Sequence, residues 1–213
     1  MAKRRTSEHL QGLRNLYEAR REAIQSRLID FSRIPSAGYF YELLYCLMTP
    51  QSSAENAERV VEILKSLQFE SADIDPEPIL RTKEHYIRFH RTKARLLSKV
   101  KSEMPVITGV LSNGSPAWDM REWLVRNVKG LGYKEATHFL RNIGKNGGLA
   151  ILDRHILRNL KRYGVVRTLP KSLSKKQYFR IEKRFSEFAE RIGIPVDHLD
   201  LLFWSMETGE IRK

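Results

Sequence analysis

A single cysteine in 213 residues removes several chemistries at once. Cys46 has no partner for a disulfide and cannot alone build a cysteine-ligated zinc or iron–sulfur site. Its place in the apolar run YELLYCLM marks it as a buried structural thiol. Long apolar runs are missing too: none reaches the roughly 18 residues that a membrane-spanning helix needs. The first residues, MAKRRTSEHLQ, are basic but lack an apolar core and do not read as a signal peptide. The expectation is a soluble, cytoplasmic protein without a membrane partner. Acidic residues are short as well, 25 against 38 lysines and arginines, for a net charge of +13. A pI near 10.0 favours polyanionic partners, nucleic acid before acidic membrane.

Alternating β-patterns, internal repeats and low-complexity segments are also lacking, and what remains reads as helix. Leu10, Leu13, Leu16, Ile24, Leu28 and Phe31 recur at helical spacing from Ser7 to about Ser32. IPSAG interrupts the pattern, and YFYELLYCLM is an apolar, buried helix stopped by Pro50. SSAENAERVVEILKSL opens with a serine cap and Glu55 in a capping-box pattern. PILRTKEHYI, HRTKARLLSKVKSEM and AWDMREWLVRNV are amphipathic, the last started by Pro116. DRHILRNLKRYGV, SKKQYFRIEKRFSEFAERIGI and VDHLDLLFWSME complete a set of about ten helices. The class is all-α. Breaks at IPSAG and GKNGG divide it into a central domain, 36–149, and a second domain formed by both ends, 1–35 plus 150–213.

The stretch VKGLGYKEATHF, inside a unit of about 124–143, describes a helix–hairpin–helix. Gly130 and Gly132 permit a tight reversal with positive φ. Bare N–H groups there, with those of the second helix's first turn, can approach a phosphate closely. Val125, Val128, Leu131, Ala136 and Phe139 supply the apolar frame of the two helices. Lys134 sits awkwardly, because the positive end of a helix disfavours a cation. It reads either as a phosphate clamp or as a reactive amine. Asp153, 19 residues further on, is either the N-cap of the next helix or a carboxylate aimed at the same chemistry.

VKGLGYKEATHF followed by LAILDRH resembles the hairpin-plus-aspartate signature of the helix–hairpin–helix DNA glycosylase superfamily. The chain is especially similar to its second, shorter family of 8-oxoguanine DNA glycosylases, a similarity that extends to LMTPQSSAENA and LDLLFWSMETGEIRK. The resemblance implies two helical domains with the active site in the cleft between them. It implies a monomeric, nucleoid-associated repair enzyme that acts on double-stranded DNA containing 8-oxoguanine or abasic sites. No cofactor and no metal are expected; His155 and His198 follow aspartates without metal-ligand spacing.

The implied roles form one reaction. Lys134 attacks C1′ of a flipped nucleotide and forms a Schiff base that permits β-elimination. A free lysine, with a pKa of about 10.4, is protonated at neutral pH; burial and the helix end both favour the neutral amine. Asp153 stabilises the cationic sugar. Lys129, Gly130, Gly132 and Arg154 hold the DNA backbone, and Gln51 is the wedge that fills the vacated stack. Ser52 and Ser53 either cap the next helix or touch phosphate. Trp204 and Lys213 belong to the base pocket, although Trp204 is otherwise most simply a core residue; Phe89 or His90 lies opposite. Arg141, Lys145, Arg158 and Lys161 join the basic surface, and His138, one turn after Lys134, is expected to pack. The alternatives are a pyrimidine-lesion glycosylase/lyase of the same fold or a non-catalytic DNA-binding module.

Overall fold

The computed structural model describes the backbone of residues 2–211 and the side chains of residues 8–211. Ten α-helices and two short 3-10 turns make up the ordered elements, and no strand occurs among the described residues. By contact the chain divides into two compact units, Ile34–Ile143, and Met1–Arg33 with Gly144–Lys213.

The first of these is built on α2 (Tyr39–Met48), whose apolar sequence leaves only Tyr41 partly open. Phe40, Leu43, Leu44 and Leu47 have almost no exposure. Each such side chain contributes about 1.5–3 kcal/mol on leaving water. Around α2 pack α3 (Ala54–Ser66), α5 (His90–Ser112) and α7 (Tyr133–Asn142), with α4 (Glu77–Leu80) and α6 (Ala117–Asn127) lying on α5 and α7. PILRTKEHYI does not form the continuous helix its pattern predicts. It breaks into the single turn of α4 and a 3-10 turn at Lys83–His85. Tertiary bonds override the local pattern there: Ile87 N donates to Leu80 O at 2.8 Å, and the Asn56 amide donates to Tyr86 O at 3.1 Å. The cap of α3 is Ser53, which accepts from Asn56 N, so the capping box with Glu55 does not form.

The second unit pairs α1 (Ala2–Ser32) with α10 (Val196–Thr208), which also packs on α8 (Arg154–Arg162) and α9 (Lys175–Ile192). The α1 stripe buries Leu13, Tyr17, Ile24 and Phe31, while Leu10, Leu16 and Leu28 stay half-open. Tyr163, Phe185 and Phe203 stack at its centre, with Phe203 5.6 Å from Tyr163 and 6.0 Å from Phe185. Gly144 opens this unit at φ +69, and a Cβ there would lie 2.5 Å from Ser32 Cα. A backbone neighbour cannot give way, so only glycine lets the chain pass the end of α1.

Candidate active site and DNA interface

The hairpin joins α6 to α7 through Val128–Gly132. Leu131 N donates to Val128 O at 3.2 Å, and Ala136 N to Gly132 O at 2.9 Å. Val128, Leu131, Ala136 and Phe139 are buried between the helices, with Val125 half-buried. Positive φ is needed at one glycine, not two. Gly130 stands at +97, while Gly132 is at −92 with extended ψ, a conformation open to any residue. A Cβ on Gly130 would meet Leu96 Cδ1 at 2.7 Å and Leu47 Cδ2 at 3.2 Å. Gly132 is the N-cap of α7 and gives it no side-chain acceptor. No side chain at the N-cap therefore covers the N–H groups of the first turn. Lys129 is exposed beside them.

Lys134 occupies the first turn of α7 and is less enclosed than expected, its side chain keeping 25% of its surface. The reason is its place at the start of the helix, before the run of buried residues from Ala136 onward. Its Nζ lies 3.7 Å from Glu135 Oε1. His138 is buried with its ring edge-on to Tyr45 at 5.7 Å, a packing role. Cys46 is wholly buried, and desolvation pushes its thiol well above the usual range. Arg141 is buried rather than part of a basic surface, because α7 is enclosed on nearly every side past its first turn.

Gln51 is exposed in the turn after α2 and takes φ +57, left-handed for a side-chain-bearing residue. Beneath it lies Lys93, 5% exposed, which the motif-based reading missed. Its Nζ donates to Met48 O at 2.6 Å, Pro50 O at 2.7 Å and Ser52 Oγ at 3.1 Å. Burial pushes its pKa down to about 8, against the pull of Glu135 and with the help of the Lys134 charge. A signal was present: Leu97, Val100, Met104, Ile107 and Leu111 form the buried stripe of α5, and Lys93 is one step back along it.

Ser52 does not cap α3; its Oγ also accepts from Arg88 N at 3.0 Å. Phe89 follows at φ +60, is 49% exposed, and lies under the Arg88 guanidinium at 4.9 Å. His90 is half-buried, with Nε2 3.8 Å from Glu77 Oε1 and its ring against Tyr86. Of the two pocket candidates, Phe89 is the more exposed.

In the other unit, Asp153 is partly buried and is the N-cap of α8, with Oδ1 accepting from Ile156 N at 2.8 Å. The extended segment before it is pinned to α9. Tyr178 OH donates to Ala150 O at 2.6 Å, and Ala150 N donates to Glu182 Oε1 at 3.0 Å. Arg154 is exposed, its Nε 3.3 Å from His155 Nε2. Trp204 is half-buried on α10, its ring edge-to-face with His155 at 6.2 Å. Glu207, one turn on, lies 3.7 Å from both His155 Nδ1 and Arg158 Nη1 and accepts from Asn159. Arg158 is therefore exposed but ion-paired, Lys161 is exposed, and Lys145 is half-buried. Lys213 lies outside the described residues.

The described residues hold no cluster able to bind a metal ion. No described helix is long and apolar enough to cross a membrane. The family model for 8-oxoguanine DNA glycosylase matches residues 24–194. The 8-oxoguanine DNA glycosylase/AP lyase of Korarchaeum cryptofilum is 40% identical over 195 residues, 91% of each chain. That of Fusobacterium nucleatum is 36% identical over 97% of this chain and 99% of its own. Among solved structures, the Methanocaldococcus jannaschii 8-oxoguanine glycosylase/lyase in complex with a DNA 15mer containing 8-oxoguanine superposes with TM-score 0.86. It is 30% identical and covers 97% of this chain and 100% of that one. The 8-oxoguanine DNA glycosylase of Thermotoga maritima gives TM-score 0.85 at 30% identity, covering 98% and 100%.

Proposed function

This chain belongs to the 8-oxoguanine DNA glycosylase family, and from that premise we propose that it excises 8-oxoguanine from DNA with Lys134 and Asp153 and then cleaves the strand. An 8-oxoguanine DNA glycosylase with an AP lyase step is what its relatives' names carry, which supports a role in base excision repair. The residue-level reading rests above all on Lys134, the amine on the first turn of the second hairpin helix, directly behind the backbone-binding turn.

The hairpin holds the phosphate backbone through the open N–H groups at Gly130–Lys134, with Lys129 and Arg154 adding charge. Gln51 enters the space left by the flipped base, and Phe89 and Trp204 stack on the base itself, with Lys213 completing the pocket. Lys134 must first leave its ion pair with Glu135 and give up a proton. Its lone pair then bonds to C1′ as the glycosidic bond breaks, and the base departs with the bonding electrons. Asp153 offsets the positive charge on the sugar during that exchange. Ring opening converts the adduct to a Schiff base, which acidifies the C2′ hydrogen. Loss of that proton expels the 3′ phosphate. The enzyme works as a monomer in the cytoplasm.

Borohydride reduces a Schiff base to a stable amine. The wild-type chain is expected to become linked to duplex DNA containing 8-oxoguanine, and Lys134→Gln to give no link while still binding. Tight binding by the wild type without trapping would leave only a DNA-binding module.

A further inference from the structure

Two side-chain-bearing residues proposed to enter the DNA, Gln51 and Phe89, take left-handed backbone conformations at φ +57 and +60. They are 38 residues apart in sequence. Such conformations persist only when surrounding groups over-determine them. Both lie within one hydrogen-bond relay that starts at Lys93.

The three protons of the Lys93 ammonium are all used, on Met48 O, Pro50 O and Ser52 Oγ. These acceptors bracket Gln51, one before it and one after it, with the third at the end of α2. Carbonyls at a helix C-terminus lack helical partners and carry partial negative charge, so an ammonium suits them. Ser52 Oγ continues the relay by accepting from Arg88 N, the amide next to Phe89.

We propose that Lys93 is a positioning residue: its ammonium fixes the Pro50–Ser52 turn and, through Ser52, the entry of α5, so that Gln51 and Phe89 meet the DNA as one preset unit. This rests on the reading of Gln51 as the wedge. A buried lysine that merely filled the core would serve every substrate equally. A latch on the wedge serves most where a paired base must be extracted, because an unpaired lesion needs less help to leave the stack.

The test compares single-turnover excision by the full chain on two duplexes, one with 8-oxoguanine opposite cytosine and one with it opposite a stable abasic analogue. Lys93→Met should slow the paired substrate at least about tenfold more than the unpaired one, roughly 1.4 kcal/mol in barrier. Ser52→Ala, which leaves the two carbonyl bonds in place, should shift the ratio the same way by less. Adding Lys93→Met to Gln51→Ala should leave the ratio of paired to unpaired excision close to that of the worse single variant, since the latch acts on base extraction through the wedge. Equal loss on both duplexes, or multiplied changes of that ratio in the double variant, would overturn the latch. A normal Gln51→Ala enzyme would overturn the wedge and the latch together, whereas a defective Gln51→Ala beside a normal Lys93→Met overturns the latch alone. If Lys93→Met does not fold, Ser52→Ala and its combination with Gln51→Ala decide the matter by the same ratio.

Discussion

The hairpin contains two glycines that look alike in sequence and differ in the structure, and substituting alanine at each separates conformation from contact. At Gly130 an alanine inherits φ +97, a left-handed cost of about 1–2 kcal/mol. Its Cβ would also stand 2.7 Å from Leu96 Cδ1 and 3.2 Å from Leu47 Cδ2. Forcing a methyl into packed neighbours costs about 1–3 kcal/mol, and the half-buried Leu96 can rotate, which favours the lower end. The sum is about 2–4 kcal/mol, a large part of the roughly 5–15 kcal/mol that holds a domain folded. For a chain of this size that is a fall in Tm of about 5–15 °C. At Gly132, φ is −92 and the new Cβ meets only the flexible end of Glu135, Oε2 at 3.0 Å, within 4 Å. Alanine is a poor N-cap, which costs about 0.5–1 kcal/mol. Its methyl does, however, intrude where a phosphate would approach. Thermal unfolding by circular dichroism and DNA binding by anisotropy are the two assays. Gly130→Ala should lose stability and binding together, whereas Gly132→Ala should keep its Tm within about 3 °C and lose affinity. Equal falls in Tm at the two positions would refute the conformational argument.

Asp153 has a structural duty that a careful substitution leaves intact. Asn caps a helix about as well as Asp, so Asp153→Asn should unfold within a few degrees of wild type, yet excise 8-oxoguanine about a hundredfold or more slowly. Full excision by this variant would reduce Asp153 to a cap. The pH dependence of stability carries a signature of Lys93. Its folded pKa of about 8 lies below the roughly 10.4 of an unfolded lysine, so the unfolded chain binds more protons between those values. The linkage sign is then fixed: stability owed to this group rises with pH from about 8 to 10.4, and its penalty of about 3 kcal/mol is complete below 8. Denaturant unfolding of wild type and Lys93→Met across that range should show the difference moving toward wild type as pH rises. A pH-independent difference would contradict the buried-ammonium account.

The helices and the hairpin were readable because their signals are local. The stripe of α1, the apolar run of α2 and the glycine-centred turn each lie within a short window, and each found its element. The resemblance supplied roles for Lys134 and Asp153 by the same local means. What local pattern did not yield depends on residues far apart. The helix expected after Pro78 is broken by Leu80 and Asn56, one of them 30 residues from the carbonyl it binds. Ser52 looked like a cap because serine before Glu55 usually is one; its oxygen is taken by Lys93 and Arg88 instead. Arg141 looked solvated because arginine usually is, but α7 is enclosed beyond its first turn. Lys93 alone left a local trace, a charge on an otherwise apolar stripe, and only its burial gave that trace meaning.

The two proposed chemical groups and the proposed wedge are held by different means, and the difference predicts where the chain tolerates change. Asp153 is fixed by its own helix, through one bond to Ile156 N, and by the anchors that Tyr178 and Glu182 set on the preceding segment. Gln51 has no helix of its own to hold it. Its left-handed backbone and that of Phe89 cost about 1–3 kcal/mol each. Hydrogen bonds from a charged donor contribute about 1.5–3 kcal/mol apiece, so three of them offset those costs and one does not. A neutral or shorter side chain at position 93 therefore cannot keep both strained residues in place, whereas Asp153 keeps its place as long as residue 153 caps α8 and the segment before it keeps its bonds to α9. Selection on wedge geometry should fall on a buried lysine that never touches DNA.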